Sequence, residues 1–196
     1  MYPKARIDAL TDGIFAVAMT LLVLDIRLPE GVHPGTGGEL LRALAEIWPR
    51  FIPYVVSFLV LGLRWLWNVE IGRSIETVDL AWARWWLLYM LLITCVPFTT
   101  FVLGRYPGLA PAIWLYAGNT ALIGLTGMRL APSHDPLAPG TPTHRRFSPA
   151  LLVLASLLAV LISLASPALA VWVFFLTPAA PVIERLLHRA AHTTPI

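Results

Sequence analysis

Few side chains in this 196-residue chain are equipped for chemistry, and the most suggestive of them stand near its start. The acids Asp8, Asp12 and Asp25 and the hydroxyls of Thr11 and Thr20 fall within an otherwise apolar run over residues 7–28. A carboxylate at mid-membrane depth is disfavoured by about 2.5–3.5 kcal/mol on insertion scales, so it must find a partner or face water. At about 100° per residue, Gly13, Val17, Thr20, Leu21, Leu24 and Leu28 share one side of a helix, with Asp8 and Asp12 roughly opposite. The pattern alone leaves both sides open. The apolar stripe suits helix packing or lipid contact as well as a functional wall. The two acids suit satisfied partners, at helix ends or at Arg64, as well as a functional acidic site.

Other reactive residue types argue against an enzyme. His33, His134, His144, His188 and His192 all fall in expected loops or the tail, none in a metal-binding pattern with a supporting carboxylate. The lone Cys95 sits in an apolar run and builds neither a disulfide framework nor a thiolate metal site within one chain. No catalytic residue, metal or cofactor is expected. The formal charge of +3 carries no basic cluster interleaved with aromatic residues, so no nucleic-acid partner is expected either.

The elements that must position these residues are membrane helices. Hydrophobic residues make up 58% of the chain and charged residues only 13%, with a mean hydropathy of +0.74. A soluble domain carries about 25% charged residues, so the solvent for most of this chain is lipid. A span needs about 20 mostly apolar residues. On that rule the sequence predicts six spans, over residues 7–28, 51–71, 80–103, 110–130, 149–164 and 169–187. The first is read as a retained helix, because Asp8 and Asp12 interrupt its start and it outruns a leader's apolar core. Residues 39–48 have helical spacing but are short and charged, which predicts a separate interfacial helix. A proline-rich polar loop is expected over 131–148, and a tight turn at 165–167 makes the last two spans a hairpin. The fourth span carries Ala117, Gly118, Ala121, Gly124 and Gly127, small residues expected to serve packing within the subunit. Residues 1–190 are read as one transmembrane domain and 191–196 as a disordered tail.

Positive charge sets orientation. With the N-terminus inside, nine basic residues lie inside (Lys4, Arg6, Arg73, Arg84, Arg129, Arg145, Arg146, Arg185, Arg189). Four lie outside: Arg27, Arg42, Arg50 and Arg105. Both termini are therefore expected in the cytoplasm of a multi-pass cell-membrane protein. Trp82, Trp85 and Trp86 are read as an inner aromatic belt and Trp48 as part of an outer one.

Arg6, three residues, then Leu10-Thr11-Asp12 and the apolar run to Ile26 resemble the first helix of prokaryotic members of the transmembrane protein 175 family. The family's pattern has Phe and Ser where this chain has Leu10 and Thr11. Trp65-x-x-Asn68 resembles the family's Trp-x-x-His, and Pro97-Phe98-Thr99-Thr100 and Tyr116-x-x-Asn119 resemble further features of the third and fourth spans.

The resemblance implies an all-α membrane protein, six helices per subunit, in a homotetramer whose first helices line a central pore. It implies passive, moderately selective potassium conduction, with the bilayer, potassium ions and further copies of the chain as partners. Carried over residue by residue, the pore-lining positions are Val17, Thr20 and Leu24, on the stripe found above. Rings of Val17 and Leu24 would make apolar constrictions that gate by dewetting, and Thr20 would supply hydroxyl oxygens between them. Asp25 reads as a cation-attracting ring at the outer mouth or, equally, as a solvated interfacial acid. Arg6, Thr11 and Asp12 read as architecture, with Trp65 and Asn68 as candidate partners of Asp12, or alternatively as a gate latch. A proton-conducting channel and a small secondary transporter are the alternatives, although the internal repeats typical of transporters are absent.

Overall fold

The computed structural model describes residues 2–28, 31–72, 77–131 and 142–177. The chain runs through α1 (Lys4–Leu21), α2 (Gly37–Gly72), α3 (Leu80–Thr94), α4 (Val96–Arg105), α5 (Ala110–Leu130), α6 (Pro142–Ser163) and α7 (Pro167–Ala170). Two 3₁₀ turns, Leu22–Asp25 and Val171–Phe175, continue α1 and α7. These segments account for the first five predicted spans and the beginning of the sixth. The sixth is followed as far as residue 177, and the remainder of 169–187 and the expected tail at 191–196 lie outside the described residues. The protein is an all-α membrane protein: Lys4–Asp25, Gly37–Gly72 and Leu80–Arg105 are long and apolar enough to cross a membrane, and Phe147–Ser163 is a shorter apolar helix.

Four differences from the sequence reading concern the limits and joins of the helices. First, the predicted interfacial helix and second span are one helix, α2, which runs through Pro49 and Pro53. Each proline removes one backbone donor, but membrane helices tolerate this when neighbours re-satisfy the freed groups. Its 36 residues reach about 54 Å, so its charged N-terminal turns extend past the roughly 30 Å hydrocarbon layer. Second, the third span divides at Cys95 into α3 and α4. Pro97 has no N–H to return to the Ile93 carbonyl, and the Asn119 side chain donates to the neighbouring Leu92 carbonyl at 3.1 Å. Third, α6 begins seven residues earlier than residue 149. Fourth, a two-residue antiparallel bridge pairs β1 (Tyr2–Pro3) with β2 (Thr77–Val78), tying the start of α1 to the segment before α3.

α5 is the middle of the bundle. Its polar residues keep it out of the apolar class, yet Tyr116, Asn119, Thr120, Ile123, Gly124 and Thr126 are buried among protein neighbours. The face of a helix turned to protein neighbours has no need to be greasy, while Trp114, Leu115, Leu122 and Leu125 keep the opposite face of α5 apolar and exposed. Side-chain hydrogen bonds fasten it. Thr100 Oγ1 donates to Ser57 Oγ at 2.7 Å, and Ser57 Oγ donates to Tyr116 OH at 3.0 Å, linking α4, α2 and α5. Thr120 and Ser156 hydroxyls lie 2.9 Å apart between α5 and α6. The Tyr116 ring meets Phe174 edge-on at 4.8 Å.

Gly124 and Gly127 of α5 pack closely inside the subunit, whereas Gly118 does not. A Cβ at Gly124 would stand 2.6 Å from Val153 Cγ2 and 2.7 Å from the Pro149 carbonyl oxygen, both on α6. Gly124→Ala is therefore expected to lower stability by about 1–3 kcal/mol, the usual cost of overpacking. Thermal unfolding in detergent checks this against Gly118→Ala, whose added methyl meets nothing within 4 Å and should leave the midpoint unchanged.

Candidate functional site

α1 lies at the side of the subunit. Its inner stripe, Lys4, Thr11, Phe15 and Ala18, continuing to Leu22 in the 3₁₀ turn, is buried. Its other faces are open: Gly13, Val17, Thr20, Leu21 and Leu24 are exposed, Val17 at 57% and Leu24 at 63%. A core-facing stripe at i, i+4, i+7 leaves the remainder of a helix free for lipid or a second protein surface. Val17, Thr20 and Leu24 thus share an unburied side of α1.

Thr20 has a defined orientation. Its Oγ1 donates to the carbonyls of Ala16, at 3.0 Å, and Val17, at 2.9 Å. Such back-bonding is a common resolution for a threonine within a helix. It spends the hydroxyl's only proton on the backbone and leaves the oxygen as an acceptor.

The helix tightens to 3₁₀ after Leu21. Each residue then turns about 120° instead of 100°. Leu24 stays on the side of Leu21, whereas Asp25 swings farther from the stripe. Asp25 is half-buried and borders a cavity together with Arg27, Arg50 and Arg105.

The acidic side of α1 is held by partners in its N-terminal half. Asp8 forms an ion pair with buried Lys4. Asp12 Oδ1 accepts from Trp65 Nε1 of α2 at 2.7 Å. Thr11 Oγ1 donates to the Ile7 carbonyl at 2.8 Å and accepts from Trp86 Nε1 of α3 at 3.0 Å. Consecutive residues of the motif therefore reach two different helices, which fixes the rotation of α1 about its axis. Arg6 is exposed in the same half.

Three expectations are corrected here. Asn68 does not join Asp12: its Nδ2 donates to the Arg64 carbonyl at 2.8 Å and to Tyr89 OH at 3.1 Å. Arg64 pairs with neither acid of α1; it donates to Ser148 Oγ on α6 and lies over the Trp67 ring. Trp86 is buried at 5% exposure and is a partner of Thr11 rather than part of an interfacial belt. Composition placed three tryptophans at the start of the third span; Trp82 and Trp86, four residues apart, share its inward face, and Trp86 is the one fully covered. Trp85 remains exposed, with the Arg129 guanidinium over its ring.

Trp65→Phe keeps the ring and removes the donor to Asp12. It is expected to cost about 1–3 kcal/mol, the range for a charged group losing its hydrogen bond. Thermal unfolding of the purified protein reads this, with Trp48→Phe, at an exposed position, as a control expected to leave the midpoint in place.

Comparison with known proteins gives a consistent picture. The family described as endosomal/lysosomal potassium channel TMEM175 matches residues 6–97. A potassium channel of Streptomyces collinus is 39% identical over 106 residues, 54% of this chain and 50% of that one. The human endosomal/lysosomal proton channel TMEM175 is 40% identical over 67 residues, 32% of this chain and 13% of its own. The chain thus spans half or less of the length of these two relatives. A crystal structure of a lysosomal potassium-selective channel TMEM175 homolog from Chamaesiphon minutus superposes with a TM-score of 0.77 at 30% identity. That match covers 92% of this chain and 97% of the solved one.

Proposed function

We infer that this chain, which belongs to the TMEM175 family of potassium channels, assembles as a homotetramer whose α1 helices line a central, moderately potassium-selective pore. The family is one of ion channels, not enzymes, and potassium is the permeant species with no cofactor. The observation that carries this reading is the unburied side of α1, where Val17, Thr20 and Leu24 stand together and Thr20 offers its oxygen outward.

Six helices leave no room for an ion path within one subunit, and a closed symmetry axis supplies one without added chain. Around a fourfold axis, Val17 and Leu24 form two apolar rings about 10 Å apart, which exclude water when narrow. Four Thr20 oxygens between them replace part of an ion's hydration shell. This favours the cation that dehydrates at lower cost, and selectivity stays moderate because hydroxyls are fewer and weaker ligands than a full carbonyl cage. The bonds of Thr11 and Asp12 to α3 and α2 hold α1 in the rotation that aims the stripe at the axis. Asp25 adds negative charge near the outer mouth. Both termini face the cytoplasm of a cell membrane, by the basic-residue asymmetry.

Reconstitution into liposomes with a potassium gradient tests this. Passive, electrogenic potassium flux supports the channel. Flux strictly coupled to a second ion replaces it with a transporter. Proton flux without potassium flux favours the second reading, prompted by the human relative's name as a proton channel.

A further inference from the structure

A cavity of about 450 Å³ opens between the end of α1, the middle of α2 and the end of α4. That volume lies within the range of small-ligand pockets. Three arginines line it, Arg27, Arg50 and Arg105, against a single acidic residue, Asp25. Among the described residues the one ion pair is Lys4–Asp8, so no acid lies within ion-pair distance of these arginines, although Asp25 feels the charge of Arg27. Arg50 is anchored, its Nη1 donating to the Arg27 carbonyl at 3.1 Å, which leaves the rest of its fork available. Leu22, Tyr54 and Phe101 supply an apolar wall beside this charge.

From this juxtaposition we propose that the cavity binds a phosphate group, either the headgroup of an anionic phospholipid or a free phosphate ion. Guanidinium forks match phosphate oxygens in pairs, which a point charge does not. The site lies at the ends of α1 and α4, at the edge of the roughly 30 Å hydrocarbon layer, where a lipid phosphate sits. The apolar wall beside the arginines offers a surface for the first acyl carbons of a bound lipid. Asp25 limits the site to one anionic group by repelling a second.

The test uses the purified full chain in neutral detergent and follows its thermal midpoint during titration. The probes are short-chain phosphatidylglycerol, diacylglycerol of the same chain length, and inorganic phosphate. Phosphatidylglycerol is expected to raise the midpoint and diacylglycerol to leave it unchanged. The Arg50→Gln/Arg105→Gln double variant is expected to need at least ten times more lipid for the same shift. If inorganic phosphate reproduces the shift at similar concentration, the phosphate site stands and its occupant is the free ion. Asp25→Asn provides a second check that does not depend on the folding of the double variant, because removing the opposing charge should tighten phosphate binding several-fold. A midpoint that responds to neither phosphate compound, a response equal in wild type and double variant, or weaker binding in Asp25→Asn would each overturn the proposal.

Discussion

Leu24→Ala is expected to raise potassium conductance about tenfold. Leu24 is the most exposed apolar residue of the α1 segment, at 63%, and it sits in the 3₁₀ turn beyond the helix proper. In the proposed tetramer, four such side chains close the outer constriction. Truncating them removes the apolar surface that expels water, and a wetted ring no longer forces an ion to shed its hydration. A tenfold gain requires only about 1.4 kcal/mol off the barrier, spread over four side chains. The exposed position also makes the substitution gentle on the subunit, since Leu24 contributes nothing to the buried stripe. Single-channel recording in planar bilayers reads the effect, and a conductance equal to wild type would remove Leu24 from the constriction.

Thr20→Val is the second large effect, and it acts on selectivity. Valine keeps the branched shape of threonine and deletes the hydroxyl, so the width of the pore is preserved. What is lost is the oxygen whose proton is already committed to Ala16 and Val17 and whose lone pairs face away from the backbone. Each net hydrogen-bond-like interaction is worth about 0.5–1.5 kcal/mol. Losing four partial contacts is expected to bring the potassium-to-sodium permeability ratio down roughly tenfold, toward unity. The reversal potential under mixed potassium and sodium reports this directly. An unchanged reversal potential would place selectivity elsewhere. Thr20→Ser, which restores the oxygen, is expected to recover most of the ratio.

How much of this was legible in the sequence varies by element. α5 is found over its predicted residues 110–130 because Pro111 marks its start and the apolar period ends at Leu130. The end of α1 was misjudged, since the change from α to 3₁₀ after Leu21 is a choice of hydrogen-bond register that hydropathy does not encode. The fusion of residues 39–48 with the second span is not visible in the sequence, because that stretch reads as short and charged, whereas α2 continues through Pro49. In the candidate site, a helical wheel alone put Val17, Thr20 and Leu24 on one side. The partner of Asp12 was narrowed to two residues of α2, and geometry selected Trp65 over Asn68. Trp86 was invisible as a partner of Thr11, because a contact across 75 residues depends on how α1 and α3 are docked. Ser57, the link between Thr100 and Tyr116, carried no signal beyond being a small polar residue in an apolar run.

The central claim, that α1 presents Leu24 to the ion path, is tested most directly by chemical block. Cys95 is the chain's one cysteine, so Cys95→Ser provides a thiol-free background. In it, Leu24→Cys is treated with a cationic methanethiosulfonate reagent during potassium flux from liposomes, beside Leu91→Cys on α3, a similarly exposed position at 59%. The account predicts near-complete loss of flux for Leu24→Cys and little change for Leu91→Cys. Full flux from Leu24→Cys protein whose labelling is confirmed by mass would contradict it.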